Sequence, residues 1–418
     1  MKHRYLLPAA LILLPITPAT AGGSATDTSS APSSASTKSL PDAWEAANDW
    51  SIGDVLFPNL HLHGVGGYSS GEVEELSSGG HDPQRKTFSA QAIEPGLSLR
   101  TKYVEGFANY LFFQDGDGDW DGELEEAFGK IVNIPGGFEI KGGQYFSHFG
   151  ALNDKHLHAW DFVDSEMVIA RFLGDDGLLL KGGELSWTLP FGMDPAFVSV
   201  ATLGFGNARS HDHGHEHEHE PGEPEPPHEG EEGALADDVM TARIVGRYRF
   251  NDFHGMTLGT SWAGGTNGFG RDTHVFGLDA EYLWRENGLE TGGRAFRWRN
   301  EFLWRDVKAY SEHDDNEDGI IDETFRGDYD ESGFYTHAIF TWNPHLDTGL
   351  RLGWVEGVED FGQDGRFRVS PSVSWWLDEG RRIGLRTQYN FDSVKGHDDE
   401  HSIWFQLNIA LGSTEEVR

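Results

Sequence analysis

From Leu56 to Leu411 the chain is a succession of runs, each about ten residues long, that alternate apolar and polar residues with a period of two, and no other feature constrains its fold as tightly. In one stretch, Phe367, Val369, Pro371, Val373, Trp375 and Leu377 share a face, while Arg366, Arg368, Ser370, Ser372, Ser374 and Trp376 share the other. Near the C-terminus, Ile403, Phe405, Leu407, Ile409 and Leu411 alternate with Trp404, Gln406, Asn408 and Ala410. A helix turning every 3.6 residues cannot sort side chains this way, whereas a strand with unlike faces does. Sixteen such runs begin near Leu56, Ala90, Glu105, Leu124, Phe138, Leu178, Ala196, Val239, Met256, His274, Arg294, Phe334, Thr348, Phe367, Arg382 and Ser402. Gly, Asp and Asn turns separate them.

An even number of amphipathic strands, with short turns alternating with long polar loops, is what a transmembrane antiparallel β-barrel requires. Its outer face meets lipid and its inner face meets water. The expected fold is therefore an all-β barrel of about 16 strands (14–18) with long acidic loops. Tyr282, Trp284, Trp342, Trp354 and Trp375 fall at run ends, where interfacial aromatic girdles belong. A soluble β-sandwich or solenoid would bury the apolar faces as a core, and the fixed repeat a solenoid needs is not visible.

The N-terminus gives the address. Lys2, His3 and Arg4 precede an apolar stretch from Tyr5 to Thr17, and Ala19-Thr20-Ala21 supplies a small-x-small cleavage pattern. Residues 1–21 read as a cleaved signal peptide, 22–53 as a flexible Ser/Thr/Ala-rich leader, and 54–418 as the barrel. With no cysteine there is no disulfide framework, so any metal must be held by His, Asp or Glu. Export without cysteines or helical spans is typical of a Gram-negative periplasmic or outer-membrane protein, and the strand pattern selects the outer membrane. The expected partners are outer-membrane lipid, the barrel assembly machinery, small solutes or metal ions, and two further copies in a homotrimer. Against 32 basic residues stand 69 acidic ones, a net charge of −37 that repels nucleic acid.

Most of the surplus acid lies in loops, not on the strands. If the aromatic faces meet lipid, the lumen receives Arg243, Arg247, Arg249, Arg297, Arg299, Arg305, Arg351, Arg366, Arg368, Arg382 and Arg386. Asp279, Glu281 and Glu301 fall on the same faces. These arginines make either a cationic wall that favours anions or a ladder paired across strands.

Three clusters are candidates for metal. No cofactor is required by any of them. The loop 207–238 holds His211, His213, His215, His217 and His219 interleaved with acids, a donor set that suits Zn²⁺, Ni²⁺ or Cu²⁺. His215, Glu216 and His219 match a zinc-protease spacing only because His and Glu alternate, and flanking Gly214 and Pro221 forbid the helix that chemistry needs. Asp117, Asp119, Asp121 and Asp314, Asn316, Asp318, Asp322 lie in two turns spaced like weak Ca²⁺ loops. Phe128 and Phe325 replace the bidentate Glu of a full EF-hand. The third cluster is His148, His156, His158, Asp161 and Asp164, in an aromatic segment without alternation that either folds inward as a constriction or packs on a rim.

Around that third cluster, Phe149-Gly150, Leu152-Asn153, His156-x-His158, Phe162-Val163-Asp164, Phe172-Leu173-Gly174 and Ser186-Trp187-x-Leu189-Pro190 resemble a family of bacterial outer-membrane proteins. Its members are labelled zinc-regulated TonB-dependent receptor-like, or porin-like. The match covers about residues 144 to 190. The resemblance implies a zinc-linked barrel without a plug, with His156 and His158 as candidate ligands. Gly67-x-Ser69-x-Gly71 matches a hydrolase motif but ends a strand instead of opening a helix, so no enzyme is expected. The reading is a porin-like channel for passive uptake of small solutes or divalent ions such as zinc. The competing readings are a non-conducting metal-binding or adhesive barrel and, more weakly, an outer-membrane hydrolase.

Overall fold

The computed structural model describes residues 50–73, 77–190, 196–209, 233–290, 292–313, 323–358 and 364–413. The signal and leader segments up to residue 49 lie outside them. The strands, in chain order, are β1 (Leu56–Ser69), β2 (Ser89–Arg100), β3 (Val104–Gln114), β4 (Trp120–Ile134), β5 (Phe138–Phe146) and β6 (Leu179–Thr188). Next come β7 (Phe197–Ala208), β8 (Leu235–Arg249), β9 (His254–Asn267), β10 (Asp272–Arg285) and β11 (Ala295–His313). The last five are β12 (Glu323–Asn343), β13 (Leu346–Val355), β14 (Arg366–Trp376), β15 (Ile383–Val394) and β16 (Glu400–Gly412).

Each strand pairs antiparallel with its sequence neighbour, and β16 pairs with β1 to close a sixteen-strand barrel. The closing register runs from Asn59 opposite Gly412 to Ser69 opposite Ser402. Closure leaves no free edge strand, so the wall's backbone groups can bond between strands, as a hydrocarbon environment demands. Among the described residues no helix is long and apolar enough to cross a membrane; the strands make the crossing.

The period of two becomes inside and outside. On β14, Arg368, Ser370, Ser372 and Ser374 are buried, while Val373 and Trp375 are exposed. On β16, Ser402, Trp404, Gln406 and Asn408 are buried, and Phe405 is exposed. Leu203, Ile244, Leu258, Leu278, Leu350 and Leu385 are likewise exposed around the outer wall. An apolar surface turned outward on a closed sheet is stable only against lipid, which places this barrel in the bacterial outer membrane. Trp342 and Trp375 mark the short-turn rim, and Tyr68 and Trp120 the opposite rim.

The wall has one irregularity that bears on the lumen. In the β3–β4 pair, Asn109 faces Glu126 but Tyr110 faces Leu124, so Glu125 is an extra residue on β4. This β-bulge turns two consecutive acids, Glu125 and Glu126, to the buried side, which a regular strand cannot do. The strands β11 and β12 also extend past the rim. Their pairing continues to His313 opposite Glu323, about eleven residues earlier on β12 than the apolar alternation begins.

Candidate functional site, a segment folded into the lumen

Residues 147–178 connect β5 and β6 and have no alternation, so they cannot extend the wall. They fold inward. Asn153 ties the two stems of the excursion together, accepting from Leu178 N at 2.7 Å and donating to Ser147 O at 2.8 Å. At Gly150 the backbone takes φ +61°, and a Cβ there would enter the Glu301 carboxylate, so only glycine fits. Gly150 N then donates to Ser261 Oγ at 3.0 Å, and Ala151 N to Glu301 at 3.2 Å.

The middle of the segment, His156 to Glu166, is a strap clamped by charge. His156 places Nδ1 2.8 Å from Glu125 and Nε2 2.8 Å from Glu126, the two acids that the bulge turns inward. Burial alone would lower this imidazole's pKa, but the two carboxylates raise it well above the ordinary histidine value. Both ring nitrogens therefore act as donors of an imidazolium bridge. His158 follows in a single 3₁₀ turn, Leu157–Ala159, with Nδ1 2.7 Å from Glu94 and its ring stacked on His61 at 3.9 Å. Across the lumen, Asp161 pairs with Arg297 and lies 3.7 Å from Arg299. Arg386 donates to the carbonyls of Phe162 and Trp160 at 2.9 and 2.8 Å.

Asp164 is the centre of the clamp. It accepts from Arg351 at 2.6 Å, Arg368 at 2.9 Å, Gln388 at 2.5 Å and Asn390 at 2.9 Å. Burial would raise its carboxyl, but Arg351 and then Arg368 override that and hold it at about 2. Glu166 adds a contact of 2.6 Å to His337 and one of 3.2 Å to Arg351.

The segment then forms a short helix, α1 (Met167–Leu173), whose Met167, Val168, Ile169, Phe172 and Leu173 are buried. They pack on lumen-facing Leu235, Val239, Val275, Leu303, Tyr335 and Val355, so one sector of the inner wall is apolar. Arg305, fully buried, spans the junction by pairing with Glu331, donating to Arg171 O at 2.7 Å, and lying over the Phe172 ring at 4.9 Å. A cavity of about 50 Å³ lies between the strap, α1 and His337. That is room for a water or two and too little for an organic solute.

Most of the lumen arginines take one of two roles. Arg243 pairs with Asp279 at 2.7 Å, Arg299 with Glu281 at 2.6 Å and Arg366 with Asp392 at 2.8 Å, all across strands. Arg297, Arg351, Arg368 and Arg386 hold the strap, and Arg368 also pairs with Asp392 at 2.7 Å. Arg247 is half-buried, Arg249 is exposed beside the β8–β9 turn, and Arg382 lies in the turn before β15. The sequence offered a cationic wall or a paired ladder; the geometry is a partial ladder joined to a set of anchors for the inward segment.

Of the candidate ligands, His148 Nδ1 contacts Glu184 at 2.7 Å, and its Nε2 is 3.9 Å from Asp154. Asp117, Asp119 and Asp121 are exposed. Their turn is organised by Asp115, which accepts from Gly118 N at 2.8 Å and Asp119 N at 2.9 Å. His211, His213, His215, His217, His219, Asp314, Asn316, Asp318 and Asp322 lie outside the described residues. Among the described residues one triad of metal-type donors converges, His81, Glu123 and Asp176, and no local motif announces it. Ser69 of the hydrolase-like motif is buried as the last residue of β1.

No family model matches the chain. Over 142 residues, 34% of this chain, it is 32% identical to an uncharacterized protein of Aquifex aeolicus, and the alignment spans 27% of that relative. In structure it is similar to OprB of Pseudomonas putida, with TM-score 0.52 and 11% identity over 85% of this chain and 94% of that one. OmpF of Salmonella typhi gives TM-score 0.50 and 11% identity over 85% and 96% of the two chains. The outer membrane channel DcaP of Acinetobacter baumannii gives 0.50 and 8% over 87% and 99%. At these identities the likeness is one of fold. None of it supports the TonB-dependent receptor label, and the sixteen strands fall short of the 22 such a transporter needs. The fold is that of a sixteen-stranded outer-membrane β-barrel.

Proposed function

We propose that the chain is a porin-like channel admitting small hydrophilic solutes passively, with residues 147–178 as its constriction. One observation carries this reading. The strap crosses from Glu125 and Glu126 on β4 to Arg351, Arg368 and Arg386 on β13–β15, and on it Ala159 remains exposed. A segment anchored on opposite walls narrows a lumen at a fixed place, and selectivity then follows from the width and the charges left unpaired there. Divalent ions such as Zn²⁺ belong to the proposed solute class, supported by the His-rich loop and the local resemblance. Assembly as a homotrimer through the barrel assembly machinery is part of the same proposal.

A second reading has its own support. The segment also reaches β2, β6, β9, β11 and β12, which suits a barrel filled by its own chain. Planar-bilayer recording of the refolded protein separates the two. Small, stable conductance steps with a signed reversal potential in a salt gradient are expected. A folded barrel without conductance would overturn the channel and leave the filled barrel.

A further inference from the structure

His81 comes from the loop between β1 and β2, Glu123 from β4, and Asp176 from the return of the inward segment to β6. Their donor atoms all lie within 4.8 Å of one another. His81 Nε2 stands 3.1 Å from Glu123 Oε1 and 3.2 Å from Asp176 Oδ1, and all three side chains are at least nine-tenths buried. Nδ1 of His81 is buried without a hydrogen-bond partner. Its Nε2 is aimed between two carboxylates, at ion-pair distance from both.

Ligand atoms each about 2.1 Å from a common cation, in a tetrahedral or octahedral set, lie roughly 3.0–3.4 Å apart. The two measured separations fall in that range. Glu123 offers one oxygen inward while its other oxygen is held by Arg209 at 2.6 Å. An outer partner of this kind fixes the orientation of a ligating carboxylate. Phe113 packs edge-on against the His81 ring at 5.3 Å and limits its rotation. The two carboxylates balance a divalent charge, and the imidazole disfavours the hard ions that prefer all-oxygen shells.

We propose that His81, Glu123 and Asp176 bind a borderline divalent first-row cation, Zn²⁺ best, which fastens the β1–β2 loop and β4 to the end of the inward segment. Three protein ligands leave a position for water. The site goes beyond the channel reading and stands whether or not the barrel conducts.

The test uses the refolded full chain with His211, His213, His215, His217, His219 and His228 replaced by Asn, which removes the imidazoles of the His-rich loop. Titration with Zn²⁺ against a chromogenic chelator should find about one bound equivalent, weakened at least about tenfold by His81→Asn or Asp176→Asn. Zinc-edge absorption on the same background should show one imidazole among oxygen ligands, and this readout does not depend on either variant folding. No zinc bound by the folded background would overturn the proposal. So would undiminished binding in His81→Asn, or a coordination shell without imidazole; the triad would then be an imidazolium shared between two carboxylates.

Discussion

Residues 156–166 and 167–173 are adjacent in the inward segment and dock with different balances of charge and apolar packing. The strap carries most of the segment's ion pairs and charge-assisted hydrogen bonds, with Asp164 and His156 as its two nodes, around buried Leu157, Phe162 and Val163. The helix is held mainly by apolar packing, with Val168 and Phe172 essentially inaccessible to water, and Arg171 adds one ion pair to Glu331 at 3.0 Å. Apolar docking tolerates small shifts, since its energy follows area. Charge docking in a buried setting does not, because a displaced partner leaves an uncompensated charge. The strap should therefore have one position and fail abruptly, and the helix should yield by degrees.

Asp164→Asn tests the abrupt side and should have the largest effect. It removes the counter-charge that buried Arg351 and Arg368 share, leaving them Glu166 and Asp392 respectively, a loss of up to about 3–5 kcal/mol by the usual cost of breaking a buried pair. A spin label on exposed Ala159 should become mobile, while the barrel's heat-modifiable migration in electrophoresis stays unchanged. Phe172→Ala tests the other side. It removes a fully buried ring and should cost about 3 kcal/mol or slightly more. A label on α1 should loosen and one at Ala159 should not; equal loosening of both would show that the two docks are one unit.

A smaller effect is expected from Gly333→Ala on β12. The added Cβ would come within 2.6 Å of Val168 Cγ2 on the helix and 3.0 Å of Trp354 O. Overpacking of this kind costs about 1–3 kcal/mol and should displace α1 with the strap in place. The smallest perturbation is pH. His156 is raised well above its unfolded value, so its contribution is complete below about pH 6.5 and fades as pH climbs through the raised value. Asp164 is depressed to about 2, so its contribution is complete above the ordinary carboxylate range and fades only as pH falls toward 2. The Ala159 label should stay immobile from about pH 4 to 6.5 and gain mobility first on the alkaline side. First loosening between pH 4 and 6.5 would contradict this assignment.

The wall was legible because lipid imposes an alternation that water does not. Fifteen of the sixteen strands begin within a few residues of where the apolar pattern starts. The exception is β12, whose first residues, Glu323–Ser332, pair with β11 before the register with β13 begins at Gly333; their sequence reads as an acidic loop. The arginines on β8, β11, β13, β14 and β15 were placed in the lumen by the same alternation, but their partners were not. Asp164 and Arg368 are 204 residues apart, and nothing local in either sequence names the other. The helix left a faint trace in Val168, Ile169, Phe172 and Leu173, a stripe too short to separate from a buried strand. The bulge at Glu125 leaves no trace in the sequence, since it exists only in the register between two strands.

The central claim is that the strap lines the conducting path. Ala159→Cys provides the most direct test, because the chain has no other cysteine. Single-channel currents through the refolded variant should fall stepwise when a cationic thiol reagent is added, as the strap gains bulk and charge at the narrowest point. Confirmed labelling of the introduced thiol with unchanged current would contradict the claim and place the conducting path elsewhere in the lumen.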